Sequence, residues 1–487
     1  MKEIYEEIRS VYLNDDRPWV IGYSGGKDST TVVQLVWYAL KELGIENLKK
    51  PVYIISSDTL VETPAIVNHI DISLNKMRKA AKEQGLPFYP EKVIPDISQT
   101  FWVNLVGRGY PAPSREFRWC TDRLKIKPTN KFILEKVKES GEVVLVLGVR
   151  KDESMTRAQV MEYQKSRKPG DLFSAHSTIP GALVYTPIED FSTYDVWNYL
   201  LQKESPWGGN NRDLSALYQS ASGECPLVVD KTTPSCGNSR FGCWTCTVVQ
   251  RDVSLESMID QGEEWLEPLL EFRDFLKETQ KSSNKAKFRS HRRRDGRITR
   301  KNLKQKDGKG NRILIESALV FGPYLMNFRQ ELLRRLLIIE EEIRSTIKDP
   351  EFTLIKMEEL QEIRRIWIHE ELDWEDNLPK IYQDVKGIPF PRIDDDVGQH
   401  TAKDMHLLQE ICQEKGVPLE LAMRLLDLEM QTYDLVTRPN IHQKIENILK
   451  RDYTGRDQAI LEITGMDEEE YLSSLTEEEE FGEEDQP

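Results

Sequence analysis

A chain of 487 residues is too long for one compact core and is expected to fold as two domains. Its 39% hydrophobic and 31% charged residues, with Gly 27 and Pro 24, are the profile of a folded globular protein rather than a disordered one. The net charge of -15 argues against a uniformly basic nucleic-acid binder, and six cysteines are too few for a disulfide scaffold, which fits a reducing compartment.

The first residues, MKEIYEEIRSVYLNDD, lack the basic-then-apolar order of a signal peptide, and no apolar run reaches the length of a membrane span. The expected location is cytoplasmic, with no membrane partner. PWVIGY is a short β-rich run that ends in the small polar turn SGGKDS. TTVVQLVWYALKELG follows with apolar residues on recurring faces and a stop near Gly44, so a helix is expected there. PVYIIS, ending at Asp58, and VVLVLGV, ending at Arg150, are continuous apolar runs of the kind buried in a parallel sheet. Alternating strands and helices over residues 18 to about 200 predict an α/β domain. Ligands of such sheets collect at the carboxyl ends of strands, where Ser24, Asp58 and Arg150 stand.

From about Ser254 the texture becomes helical, with Trp265, Leu269, Phe272 and Leu276, then Leu325, Phe328, Leu332, Leu336 and Ile339, at helical spacing. The expected segmentation is an α/β domain over 1–205, a four-cysteine segment over 206–253, a helical extension over 254–475 and an acidic tail over 476–487.

SGGKDST sits between a predicted strand and a predicted helix, so its glycines let backbone amides face an anion at the helix N-terminus. It is neither the Walker pattern nor the dinucleotide fingerprint. Arg150 and Arg157 are candidates to clamp a phosphate, or to pair with carboxylates inside the fold. Asp58 is a candidate for a ribose or for Mg2+.

Cys225, Cys236, Cys243 and Cys246 are spaced C-x10-C-x6-C-x2-C, and the last two share the turn GCWTC. Four soft thiolates suit zinc, as a structural staple, or an iron-sulfur cluster, and spacing alone does not separate them. Cys120, in REFRWCTDRLKIKP, has Arg118, Arg123 and Lys125 nearby in sequence, which stabilise a thiolate if the fold brings them close. Its alternatives are a ligand beside the cluster or an inert buried thiol. Cys412 reads as core.

Charge is distributed unevenly. Between Lys281 and Arg312 there are 14 Lys+Arg against two acids, whereas from Asp467 onward there are 11 acids and no base. The first stretch, too dense in cations to fold alone, is expected to meet nucleic-acid phosphates through Arg289, Arg292, Arg293, Arg294, Arg297, Arg300 and Lys301. Phe288 is its one aromatic for stacking, so backbone contact is expected over base reading. A solvated loop offsetting the acidic surface is the plainer alternative.

SGGKDS resembles the SGGxDS signature of the PP-loop ATP pyrophosphatases. SDTLVETP, at Ser57 to Pro64, is similar to the DTGxxxPET segment of phosphoadenylylsulfate (PAPS) reductases, with Leu60 in place of the usual glycine. GVRKDESMTR, at Gly148 to Arg157, resembles their G-x-R-x-x-x-S-x-x-R segment, and TPIEDFSTYDVWNYL resembles their P-x-x-D-W-x-x-x-D-V-W-x-Y-I helix entrance. These resemblances span most of residues 15 to 205. They imply an adenine nucleotide alpha hydrolase-like parallel-sheet domain followed by a mostly helical region. They also imply ATP with Mg2+ held by Ser24, Gly25, Gly26, Lys27, Asp28, Ser29, Asp58 and Arg150, with Lys27, Asp28 and Cys120 as the catalytic set.

Four cysteines so spaced after such a domain, followed by a basic helical extension, resemble the DndC family of DNA phosphorothioation enzymes. That resemblance implies a 4Fe-4S cluster on Cys225, Cys236, Cys243 and Cys246. It implies an ATP-dependent sulfurtransferase that adenylates a DNA phosphate oxygen for replacement by sulfur, and as partners DNA, a cysteine desulfurase (DndA or IscS-like), DndD and DndE. The rival expectations are tRNA thiolation, PAPS or adenylylsulfate reduction, and a non-catalytic DNA-binding subunit that senses nucleotide. The reductase reading is weakened because the chain has no C-terminal ECGLH-like motif.

Overall fold

The computed structural model describes residues 2–153, 172–220, 242–306, 312–391, 401–433 and 437–474. Arg157, Cys225, Cys236 and the tail expected over 476–487 lie outside the described residues. The chain forms two compact units, Met1–Phe101 with Pro113–Leu270, and Trp102–Ala112 with Glu271–Pro487. The expected segmentation followed texture along the chain, whereas these units follow contacts, and the short excursion at Trp102–Ala112 has no counterpart in it.

The first unit runs α1 (Lys2–Leu13), β1 (Trp19–Gly22), α2 (Lys27–Lys41), β2 (Val52–Ser57), α3 (Pro64–Gln84), β3 (Phe88–Val93), α4 (Lys127–Ser140), β4 (Val143–Val146), β5 (Phe173–Ala175), β6 (Ala182–Tyr185), α5 (Thr193–Gln202), α6 (Asn211–Ser220) and α7 (Val253–Asp260). Its sheet has the order β3-β2-β1-β4-β6-β5. All neighbours are parallel except β5, which pairs antiparallel with β6 at the edge. Every residue of β1 and β4 is buried, the signature of central parallel strands covered on both faces. β1 pairs with β2 on one side and β4 on the other, so the chain order reverses there, and a crevice opens outside their carboxyl ends.

Helix α2 is anchored under this crevice. Val32, Val33, Val36 and Trp37 are fully buried, and Trp37 stacks on Phe88 of β3 with ring centroids 4.3 Å apart. Burying aromatic area of this size contributes on the order of 2–3 kcal/mol per ring, which helps to hold α2 against the sheet.

The second unit takes α8 (Glu267–Glu278), which begins before the division, then α9 (Ser282–Phe288), β7 (Arg300–Lys306), β8 (Arg312–Leu319), α10 (Met326–Ile347), α11 (Met357–His369), α12 (Asn377–Lys386), α13 (Ala402–Lys415), α14 (Leu419–Thr432), α15 (Ile441–Leu449), α16 (Arg456–Thr464) and α17 (Glu468–Ser474). The helical expectation for this half holds, with Phe328, Leu332 and Leu336 of α10 buried at the predicted spacing. The Trp102–Ala112 excursion is tied into this unit: Trp102 Nε1 donates to Leu354 O at 2.8 Å, and Trp367 Nε1 donates to Val106 O at 3.0 Å. The basic stretch, expected not to fold alone, has a partner: Arg300–Lys306 form strand β7, which pairs antiparallel with β8, Leu303 opposite Ile315 and Gln305 opposite Ile313. No helix among the described residues is long and apolar enough to cross a membrane.

Candidate functional site

The loop after β1 is shaped by Gly25, whose φ of +75° is open to glycine and costly for other residues. Gly26, the N-cap of α2, has no side chain to satisfy the first amides of the helix. Ser29 folds back on the loop: its hydroxyl donates to Gly26 O at 3.0 Å, lies 3.1 Å from Ser24 Oγ, and accepts the Ser24 amide at 3.2 Å. The Lys27 amide donates to the phenol oxygen of Tyr218 at 2.9 Å.

The charged groups of the loop are buried and mutually engaged. Lys27 is fully buried, with Nζ 2.9 Å from Asp28 Oδ2. Arg150, just past β4 and also buried, places Nε 2.6 Å from Asp28 Oδ1. The same guanidinium donates to Phe191 O and approaches Thr193 Oγ1, so it also pins the start of α5. Arg150 thus makes the carboxylate pairing that stood as the alternative to a phosphate clamp. Gly148 permits the approach, because a Cβ there would stand 3.0 Å from the Asp28 carbonyl carbon. The entrance of α5 is a capping box between Ser192 and Asp195.

At the end of β2, Asp58 accepts from the Leu60 amide at 2.8 Å and from Lys92 Nζ at 3.2 Å. Leu60 has φ +64°, the left-handed region, at the position where the resembling segment carries glycine. This turn feeds the cysteine pair. Glu62 bridges Cys243 antiparallel, the Trp244 amide donates to Val61 O at 3.1 Å, and Thr59 Oγ1 lies 3.2 Å from Cys243 Sγ.

Cys243 and Cys246 face a cavity of about 720 Å³, mouth included, and Cys120 lines the same cavity. Arg118 and Lys125 line it too, and Arg123 Nη1 donates to Gln99 Oε1 at 3.1 Å. Burial pushes the Cys243 thiol well above its ordinary range, with Lys125 opposing. A desolvated sulfur of this kind becomes a thiolate only when a strong positive partner offsets the burial, which is what a soft metal centre supplies. The donor chemistry of Cys243 and Cys246 therefore fits an iron-sulfur or zinc group. Among the described residues, no three His, Cys, Asp or Glu side chains gather closely enough to hold a metal ion. Each carboxylate oxygen of Asp28 and Asp58 accepts from a cation or an amide.

The second unit sorts the basic residues. Arg289 is turned inward, donating to Gly322 O at 2.8 Å and Phe321 O at 2.5 Å, and burial pushes its pKa down to about 10. Arg292 reaches Asp452 O and the Glu420 carboxylate, both at 2.8 Å. These two are spent on the fold. Arg293, Arg294, Arg297, Arg300 and Lys301 are exposed, although Arg294 lies 3.3 Å from Glu370 and over the Tyr110 ring. Phe288, expected to be available for stacking, packs against Phe328 with centroids 4.4 Å apart. Cys412 is buried in α13, as expected. Tyr218, Thr59 and Gly148 carry the site without having been singled out individually. Tyr218 had no local signal, since nothing around it marks it as a partner of a residue so far upstream.

Residues 18–249 match the family model of the phosphoadenosine phosphosulfate reductase domain. Residues 403–450 match that of a small protein found in certain Dnd DNA modification systems. An uncharacterized protein of Methanocaldococcus jannaschii is 25% identical over 243 residues, 50% of this chain and 39% of that protein, so the match spans about two fifths of the relative's length. Among solved structures, phosphoadenylyl-sulfate (PAPS) reductase from Candida auris in phosphate complex is 14% identical over 44% of this chain and 84% of its own, with a TM-score of 0.29. The U34-tRNA thiolase NcsA from Methanococcus maripaludis, with its 4Fe-4S cluster, is 15% identical over 57% of this chain and 79% of its own, with a TM-score of 0.28. Scores this low lie beneath those of chains that share a whole architecture. The chain carries a PAPS reductase-like α/β domain, followed by a helical region.

Proposed function

We propose that this protein is the ATP-using sulfurtransferase of a DNA phosphorothioation system. The observation that carries the reading is the pairing, within one unit, of a buried cationic phosphate loop with a cavity lined by Cys120, Cys243 and Cys246. The PAPS reductase-like match over 18–249 supports nucleotide and sulfur chemistry, and the match over 403–450 supports the Dnd assignment.

In this reading the α2 amides and Lys27 bind the phosphates of ATP, and Arg150 orients Asp28 against Lys27. A non-bridging oxygen of a DNA phosphate attacks the α-phosphorus of ATP; a P–O bond forms, and pyrophosphate leaves. Positioning and charge neutralisation by Lys27 and Arg150 supply most of the acceleration. Cys120, beside Arg118 and Lys125, carries sulfur as a persulfide received from a cysteine desulfurase. Its outer sulfur attacks the DNA phosphorus and displaces AMP, leaving a Cys120 S–S–P linkage; an external dithiol then breaks the S–S bond, releasing the phosphorothioate and the Cys120 thiolate as it closes to a disulfide. Cys243 and Cys246, with Cys225 and Cys236, would hold a 4Fe-4S cluster, which when bound supplies sulfur-affine iron beside the cavity. Exposed Arg293, Arg297, Arg300 and Lys301 meet the DNA backbone, and DndD and DndE are the expected partner proteins.

The test is anaerobic incubation of the protein with duplex DNA, ATP, Mg2+ and a persulfide donor. DNA-dependent pyrophosphate release, with phosphorothioate dinucleotides after digestion, is expected. No pyrophosphate would sink the adenylation step; release with tRNA and none with DNA would move the assignment to tRNA thiolation.

A further inference from the structure

We propose that Tyr218 competes with the nucleotide for the phosphate loop, so that ATP binding displaces its phenol and Trp197 registers the movement. The inference rests on the reading of Ser24–Ser29 as the nucleotide loop.

Lys27 opens α2, and its amide points where an anion binds at a helix N-terminus. That amide already donates to Tyr218 Oη at 2.9 Å. The phenol penetrates because Gly26 lacks a side chain: a Cβ there would stand 2.8 Å from Tyr218 Oη. The Tyr218 ring also faces the lysine head, with Nζ 5.7 Å from its centroid. Trp197 of α5 packs edge to face on the Tyr218 ring, with centroids 5.1 Å apart and planes at 83°. One phenol thus engages both the first amide and the cation that a phosphate would need.

The two occupants exclude each other on elementary grounds. An N–H directed at one acceptor cannot serve a second at full strength, and a phosphate oxygen at hydrogen-bond distance from Lys27 N overlaps the position of Oη. A neutral phenol satisfies the amide, whereas a phosphate also discharges Lys27, so the charged ligand wins at sufficient concentration. The phenol costs the nucleotide the hydrogen bond that must first be broken. Because Tyr218 packs edge to face on Trp197, its departure changes the environment of that indole.

The test compares full-length wild type with Tyr218→Phe, which keeps the ring and its packing and removes only the oxygen. ATP and pyrophosphate affinities are measured by calorimetry, and tryptophan emission is followed during ATP titration in wild type and in Trp197→Phe. Tyr218→Phe is expected to bind both ligands about two- to tenfold more tightly, the net worth of one hydrogen bond. Wild type is expected to show a saturable emission change at the calorimetric affinity, absent in Trp197→Phe. Equal affinities would overturn the competition, and weaker binding by Tyr218→Phe would make the phenol a ligand instead. If Tyr218→Phe does not fold, identical ATP-induced emission changes in wild type and Trp197→Phe, with no part of the signal assignable to Trp197, overturn the proposal by themselves. Absence of ATP binding in both proteins would overturn the nucleotide reading as well, which separates the two failures.

Discussion

Arg150 and Asp28 meet across the carboxyl edge of the sheet, with Nε 2.6 Å from Oδ1, although 122 residues separate them in the chain. Asp28 also holds Lys27, so one carboxylate is shared by two buried cations, with Asp152 Oδ2 a further partner 3.4 Å from Arg150 Nη1. Removing it leaves both without their shared counter-ion. Asp28→Asn is therefore expected to destabilise the first unit by roughly 3 kcal/mol. Added pyrophosphate should restore part of the melting temperature, because its charge replaces the lost carboxylate. Thermal melts with and without pyrophosphate check this; an unchanged melting temperature would mean that the pairing contributes little.

Leu60 makes a second, opposite prediction. Its left-handed backbone costs a side-chain-bearing residue about 1–2 kcal/mol, and its amide is held there by Asp58. Leu60→Gly relieves that strain while loosening the unfolded chain, for a net effect between zero and about 1 kcal/mol of stabilisation. Leu60→Val, β-branched in the same conformation, is expected to lose about 1–2 kcal/mol. Denaturant midpoints of the two variants settle the sign.

The cysteine cavity predicts a division of labour. Anaerobically purified protein should contain about four irons and four acid-labile sulfides per chain, lost in Cys243→Ser. Cys120→Ser should keep the iron and the pyrophosphate release but lose sulfur transfer. Iron loss in Cys120→Ser would instead make Cys120 a ligand, and one zinc with no sulfide would make the cysteine group a structural staple.

The arginines of the basic stretch should behave as two classes. Replacing Arg297, Arg300 and Lys301 together with Ala is expected to leave the melting temperature unchanged and to reduce the salt dependence of DNA binding, log K against log salt, by roughly 2–3. Arg289→Ala removes the donors that satisfy the Gly322 and Phe321 carbonyls and should cost about 2 kcal/mol of stability. Fluorescence anisotropy at several salt concentrations, beside thermal melts, separates the two.

The chain by itself determined what is local. The strand runs before Ser24 and Asp58 and the glycine turn before α2 follow from apolar periodicity and turn chemistry over a few residues, whereas the run read as ending at Arg150 stops as a strand at Val146. Substitution of the usual glycine by Leu60 was visible too, though only the backbone angle revealed its cost. Tertiary structure decided the pairings. Tyr218 reaches the Lys27 amide over 191 residues, Cys120 shares a cavity with Cys243, and Arg289 turns inward while Arg297 stays exposed. Such contacts depend on how strands are ordered in the sheet and which helix face is covered. Those choices are made by the summed packing of the whole unit, and no window of the sequence contains it.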